Sequence, residues 1–361
     1  MLDTVKLCLN DWEIKDTSQV VIQPSPVHYG TGELTSHFPL WKKGNGDVEM
    51  GSKAYLNTQL LNVDIKPFAQ GGVQCFVHFS IPKIHNGENY YSVGKEGTRA
   101  VLKKVEGELS EAGIETNIEE ASLSRIDTFQ NVITEEPFIS YSPLFSLLQA
   151  SRKVKRDYGS TFLWSNTQQE LCVYDKLVEM QNRKIDTSSY PAQTMRFEWR
   201  LLNKKKIENA IGFSKVKELP SYWGEVKEKY REAWKKDIFN MEVGEVEVLA
   251  SRRLKDFLQY FKDKHGRNYI DYFLTSFGAY SLGKEFGIEP LRIAIREIEE
   301  EESITGEEEE RKREAIKKKV HRLYKKVEKA RREMEFIRGE SGESKTLAGL
   351  YKELQVKLCL N

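Results

Sequence analysis

The chain has 361 residues, too many for one ordinary core and enough for two domains. Hydrophobic residues make up 39% and aromatics 11%, which excludes wholesale disorder. Lys plus Arg number 56 against 55 Asp plus Glu, but residues 151–240 hold 19 basic and 12 acidic residues, a balance that suits a localised polyanion contact better than a basic tail.

From residue 5 to about 202 the pattern is mostly β. Val5, Leu7 and Leu9 alternate with Lys6 and Cys8, and Val73 to Ile81 reads as a second strand. A Pro/Gly/Ser-rich stretch from Gln23 to Gly51 lies between them. Val101, Leu102, Val105 and Leu109 share a face, so Gly97 to Gly113 is expected to be helical, and a further helix is expected over Ser142 to Lys155. These features predict an α+β fold with a largely antiparallel sheet and helices on one face over 1–205.

After Asn203 the chain turns helical and highly charged. Ser221–Lys236, Arg252–Lys264 and Tyr269–Phe277 read as amphipathic helices. Leu282–Ile298 has the outline of a helix-turn-helix, an outline shared by many helical domains. Glu307–Ile337 is a charge-dense helix with one narrow apolar stripe, either a solvated helix packing a single seam or the coiled coil of a homodimer. Residues 206–361 are therefore expected to form a helical DNA-recognition or dimerisation region. Val5 to Asn10 recurs identically as Val356 to Asn361, which two equivalent strands at the chain ends would explain.

No apolar run approaches the roughly 20 residues of a membrane helix, and the first residues lack a signal-peptide pattern. Cys8, Cys75, Cys172 and Cys359 lie far apart without CxxC spacing, as expected of reduced thiols in a cytoplasmic protein.

Several strands place polar side chains on one face. A period of two puts Arg125 with Asp127, Tyr174 with Lys176, Arg196 with Glu198 and Arg200, and His78 with Ser80. Two carboxylates and a neutral imidazole suit Mg²⁺ or Mn²⁺, so Asp127, Glu198 and His78 are the candidate ligands. A tyrosine oxygen can attack a phosphorus atom that such an ion polarises, which makes Tyr174 the candidate nucleophile and Lys176 its helper. The basic run Arg152, Lys153, Lys155 and Arg156, with Lys204 to Lys206, could hold a phosphate backbone. Alternating polar residues also arise on any half-solvated sheet, and Asp127 with Arg125 reads equally as a surface pair.

Four ordered blocks carry a family resemblance. They are Phe79-Ser80-Ile81-Pro82-Lys83 with Asn86-Gly87, then Ser124 to Asn131, then Tyr158-Gly159-Ser160-Thr161 through Val173 to Lys176, and Arg196 to Leu201. Together they resemble the replication initiators of filamentous phages, the gene II/X family, and more distantly the Rep proteins of rolling-circle plasmids.

The resemblance implies a Rep-like nicking domain and an origin-specific enzyme of rolling-circle replication. It implies that Tyr174 becomes linked to a 5′-phosphate, that the released 3′-hydroxyl primes a host polymerase, and that a reverse transfer reseals the strand. By the same resemblance Asp127 and Glu198 hold the metal, with His78 a further ligand. Lys176 assists Tyr174, and Arg125, Arg196, Arg200 and Lys83 meet DNA or brace the carboxylates. Single-stranded and duplex origin DNA are the expected partners, with a host polymerase and helicase. Many rolling-circle initiators carry two histidines flanking one hydrophobic residue; His78-Phe79-Ser80 keeps the first position alone. The competing readings are a non-catalytic phage or plasmid DNA-binding regulator and a metal phosphohydrolase with water as nucleophile.

Overall fold

The computed structural model describes residues 2–15, 21–23, 41–42, 48–49, 53–58, 60–67, 73–271 and 346–360, with isolated positions between 290 and 325. The expected helix-turn-helix at Leu282–Ile298 and the long helix at Glu307–Ile337 lie outside the described residues apart from those isolated positions, and Tyr269–Phe277 is described only to Asp271.

Fourteen strands are described: β1 Leu2–Leu9, β2 Trp12–Ile14, β3 Val21–Gln23, β4 Trp41–Lys42, β5 Val48–Glu49, β6 Lys53–Asn57, β7 Asn62–Pro67, β8 Val73–Ser80, β9 Ile114–Thr116, β10 Ser122–Ile133, β11 Val154–Asp157, β12 Thr161–Ser165, β13 Gln169–Asp175 and β14 Thr194–Leu201. Ten of them form one sheet in the order β11-β12-β13-β14-β10-β1-β8-β7-β6-β3, with antiparallel neighbours throughout. Among the described residues the α-helices are α1 Ile81–Asn86, α2 Lys95–Glu111, α3 Phe138–Leu147, α4 Lys176–Asn182, α5 Lys204–Ile211, α6 Trp223–Asp237, α7 Val243–His265 and α8 Leu347–Lys357. The fold is α+β with a largely antiparallel sheet and a helical C-terminal region, as the residue pattern predicts.

Alternation in β14 separates the faces. Met195, Phe197, Trp199 and Leu201 are buried on the back, where Trp234 of α6 meets Phe197 edge-to-face at 5.1 Å and Phe145 of α3 lies 5.5 Å from Phe162. Tyr230 of α6 donates to the Phe197 carbonyl at 3.2 Å, which ties that helix to the central sheet. The hydrophobic core includes Ile207, Val226, Trp234, Val246 and Leu354 together with Val5, Ile126 and Phe197. It therefore runs straight through the boundary expected at residue 205, because the helices after it cover the apolar back of the sheet.

Two expectations change. The helix expected over Ser142–Lys155 is α3, which ends at Leu147, and Val154 to Asp157 instead pair with β12 as an edge strand. Lys155 Nζ donates to the carbonyls of Ser146 and Leu148, so it closes the end of α3 from outside the helix. The repeated hexapeptide enters two structures: Val5 to Leu9 of the first copy lie in β1, and the second copy begins in the last turn of α8. Cys8, Cys75, Cys172 and Cys359 are all free.

Gly97 brings α2 close to the end of α1 and to the loop between them, since a Cβ there would lie 2.5 Å from His85 and Val93. That loop, between α1 and α2, borders the polar face. Among the described residues no helix is long and apolar enough to cross a membrane.

Candidate active site

Register gathers the polar residues. Tyr174 lies opposite Arg196, Arg196 opposite Asn131, Asp127 opposite Arg200, Arg125 opposite Lys6, and Lys6 opposite His78. Opposed residues in an antiparallel pair share a face, so one polar surface crosses β13, β14, β10, β1 and β8.

Its centre is a tyrosine–carboxylate pair. Tyr174 Oη donates to Glu198 Oε1 at 2.5 Å, and Arg200 donates to Glu198 Oε2 from Nε at 2.8 Å and Nη2 at 2.5 Å. Arg200 Nη1 reaches Glu170 Oε2 at 3.1 Å. Glu198 is buried, and burial works to raise its pKa. The charges of Arg200 and Arg196 and the Tyr174 hydroxyl outweigh burial and hold the carboxyl below its ordinary value. The Tyr174 phenol is driven well above its usual range by burial and by the Glu198 charge. It is therefore a protonated hydroxyl already aimed at a charged acceptor.

On the neighbouring strand Arg125 clamps Asp127 through Nε and Nη2, both at 2.8 Å. Burial wins here over Arg125 and Arg200, and the Asp127 pKa is pushed up to about 6. Burial, Arg125 and Lys6 lower the pKa of His78 and favour neutral imidazole. His78, Asp127 and Glu198 thus share a face. The described residues nonetheless contain no group of three or more His, Cys, Asp or Glu side chains placed to hold a metal ion.

Lys176 departs from its expected place. Asp175 accepts from the backbone N–H groups of Leu177 and Val178, ending β13 and capping α4, so Lys176 opens a helix instead of extending the strand. Its fully buried ammonium is held by Asn89 Oδ1 at 2.9 Å and Glu179 Oε2 at 2.6 Å. Arg196 is buried as well: Nε donates to Asn131 Oδ1 at 2.8 Å, Nη2 donates to the Asn89 and Tyr90 carbonyls, and the guanidinium lies 4.0 Å from the centre of the Phe129 ring.

The residues expected to hold DNA divide in the same way. Lys83, Arg152 and Arg156 are exposed, and Arg125 and Arg200 are partly exposed. Lys153 is not a surface charge, because its side chain is buried in an ion pair with Asp237. Arg196 and Lys155 are likewise engaged by internal partners.

Asp3 joins the site without having been expected there. Its Oδ1 accepts from Ser80 Oγ at 3.1 Å and its Oδ2 lies 3.5 Å from Arg196 Nη1. Burial and the Glu198 charge raise its pKa. A register shift between Leu2 and Val5 breaks the alternation and turns Asp3 onto the polar face. Strict period two from Lys6 would place Asp3 on the apolar side, so the missing signal is the bulge.

An antiparallel sheet backed by helices, bearing a tyrosine, buried carboxylates and arginines on its other face, defines an α+β protein with a charged, sheet-borne site. Residues 15–219, more than half of the chain, match the family model for the N-terminal part of the phage gene II replication-associated protein. The chain belongs to this family, that of the filamentous-phage gene II initiators, and its role lies in phage DNA replication. No curated relative matches it.

Proposed function

We propose that the protein initiates rolling-circle replication by nicking one origin strand through a 5′-phosphotyrosine on Tyr174 and later rejoining it. The observation that carries this reading is the 2.5 Å hydrogen bond from Tyr174 Oη to the buried, arginine-braced Glu198. A phenol with a raised pKa needs a base at the moment of attack, and Glu198 stands at that position.

In the forward step Tyr174 Oη bonds to the phosphorus while its proton passes to Glu198. The P–O3′ bond breaks, the leaving 3′ oxygen takes up a proton, and the 5′-phosphate stays on the tyrosine. The free 3′-hydroxyl is then a primer for a host polymerase, with a host helicase opening the duplex. Attack by a 3′-hydroxyl on the phosphotyrosine reverses these bond changes and closes the strand. Arg200, partly exposed beside Glu198, would face the phosphate oxygens.

Asp127, Glu198 and neutral His78 fit Mg²⁺ or Mn²⁺ in kind. Mg²⁺ is commonly held by one or two carboxylates together with substrate phosphate, so two carboxylates on adjacent strands are a sufficient protein share. Such an ion, when bound, would polarise a phosphoryl oxygen. Its binding would exchange the Arg125 contact of Asp127 for the metal.

Supercoiled DNA carrying the protein's own origin, incubated with Mg²⁺ or Mn²⁺, tests the proposal. Nicked circles and a denaturation-resistant protein–DNA adduct are expected. Tyr174→Phe should bind the same DNA and give neither. Specific binding with no nicking by the wild-type protein would favour a DNA-binding regulator, and nicking retained in Tyr174→Phe would favour water as nucleophile.

A further inference from the structure

Three tyrosines cluster beside the site. Tyr90 and Tyr190 have ring centres 4.4 Å apart, Tyr91 meets Tyr90 edge-on at 5.0 Å, and Tyr91 lies 6.2 Å from Tyr190. Tyr90 is 6% exposed, whereas Tyr91 is 55% exposed. The hydroxyls of the two less exposed rings are used internally, Tyr90 with Thr194 Oγ1 at 3.0 Å and Tyr190 with the Glu88 carboxylate.

This ledge is fastened to the residues around Tyr174. Arg196, directly opposite Tyr174, donates to the carbonyls of Asn89 and Tyr90. Asn131 Nδ2 donates to the Tyr90 carbonyl at 2.7 Å, and Lys176 holds Asn89. The backbone at Asn89 and Tyr90 is thus tied to β14 and β10, and the Asn89 side chain to α4. A half-exposed ring on a fixed support is a preorganised stacking surface, and base–aromatic stacking accepts any sequence because every base has a π face. Other tyrosines are as exposed, Tyr158 and Tyr260 among them, so exposure alone decides nothing. What singles out Tyr91 is the chain of hydrogen bonds that joins its loop to the partner of Tyr174.

We infer that Tyr91, backed by Tyr90 and Tyr190, is a stacking platform for an unpaired DNA base next to the phosphate presented to Tyr174. The inference rests on the proposed nicking reading for the identity of that phosphate. It gives a named residue to the single-stranded DNA contact that this reading already expects. A base in a duplex has its faces covered by its neighbours, so the platform has nothing to gain from it.

The test is equilibrium binding of the full chain to a short single-stranded oligonucleotide with one 2-aminopurine, and to the same sequence as a duplex. Tyr91→Ala should weaken single-strand binding about tenfold, within the range of one lost stacking contact, and abolish the quenching of 2-aminopurine. Duplex affinity should stay unchanged, and Tyr91→Phe and Tyr91→Trp should bind single strands as the wild type does. Unchanged single-strand affinity in Tyr91→Ala would overturn the inference, as would an equal loss toward duplex or an equal loss in Tyr91→Phe. Adduct formation, scored on the same proteins, separates the two ideas. A wild-type protein that stacks the base but never forms an adduct would sink the nicking reading and leave the platform. One that forms the adduct while Tyr91→Ala binds single strands normally would do the reverse.

Discussion

The polar face carries two carboxylates on adjacent strands, each clamped by an arginine two residues away on its own strand, and their acidities move in opposite directions. Asp127 with Arg125 is pushed up to about 6, whereas Glu198 with Arg200 is held below its ordinary value. Both are buried, so desolvation does not separate them. The difference lies in how many donors each carboxylate faces. Asp127 is hydrogen-bonded by one guanidinium, while Glu198 faces Arg200, Arg196 and the Tyr174 hydroxyl. Burial is overcome at Glu198, where two donors act together with the Arg196 charge, and prevails at Asp127, where Arg125 is the one donor and the nearby Glu198 charge works against Arg200. Glu198 is thus the ionised partner of the Tyr174 hydroxyl, while Asp127 has a single arginine to give up if it takes a cation.

Removing the charge from the well-supported member should have the largest effect. Glu198→Gln keeps the size of the side chain but leaves the Tyr174 proton without a charged acceptor. Nicking is expected to fall about 10²- to 10⁴-fold while DNA binding holds, as measured by single-turnover cleavage beside equilibrium binding. A rate close to the wild type's would remove Glu198 from proton transfer.

The other member is probed through the metal. Asp127→Asn should abolish Mn²⁺ binding followed by electron paramagnetic resonance with DNA absent. Arg125→Gln should tighten it several-fold, since the competing cation is gone. Mn²⁺ binding that ignores both substitutions would place the ion elsewhere.

The smallest effect is a titration. Carboxyl carbon shifts of Asp127 should show a midpoint near pH 6, displaced upward in Arg125→Gln because the guanidinium opposes burial. The sign for stability follows from a folded pKa above the unfolded one. Between the ordinary carboxyl range and about pH 6 the unfolded chain loses this proton first, so the Asp127 contribution favours folding at low pH and fades as pH rises through about 6. A midpoint near 4 would mean that Asp127 is as well supported as Glu198, and the contrast would vanish.

Much of this was legible in the residues. Alternation alone placed Arg125 with Asp127 and Arg196 with Glu198 and Arg200, because their strands are regular where those residues lie. It went astray where regularity breaks. A bulge turned Asp3 onto the polar face, and the Asp175 cap moved Lys176 from strand to helix. Ion pairs are also invisible to spacing, so Lys153 read as a DNA contact although Asp237 buries it. The repeated hexapeptide makes the general point. Val5 to Asn10 begins as strand between β10 and β8, and the same residues from Val356 begin as helix end beside α7, so tertiary context overrode an identical local sequence.

The most direct test of the central claim is a peptide-mass map of the denaturation-resistant adduct formed on origin DNA. The account predicts that the nucleotide is carried by the peptide containing Tyr174, with its 5′-phosphate on the phenol oxygen, and that Tyr174→Phe yields no adduct. A nucleotide found on any other tyrosine would contradict it.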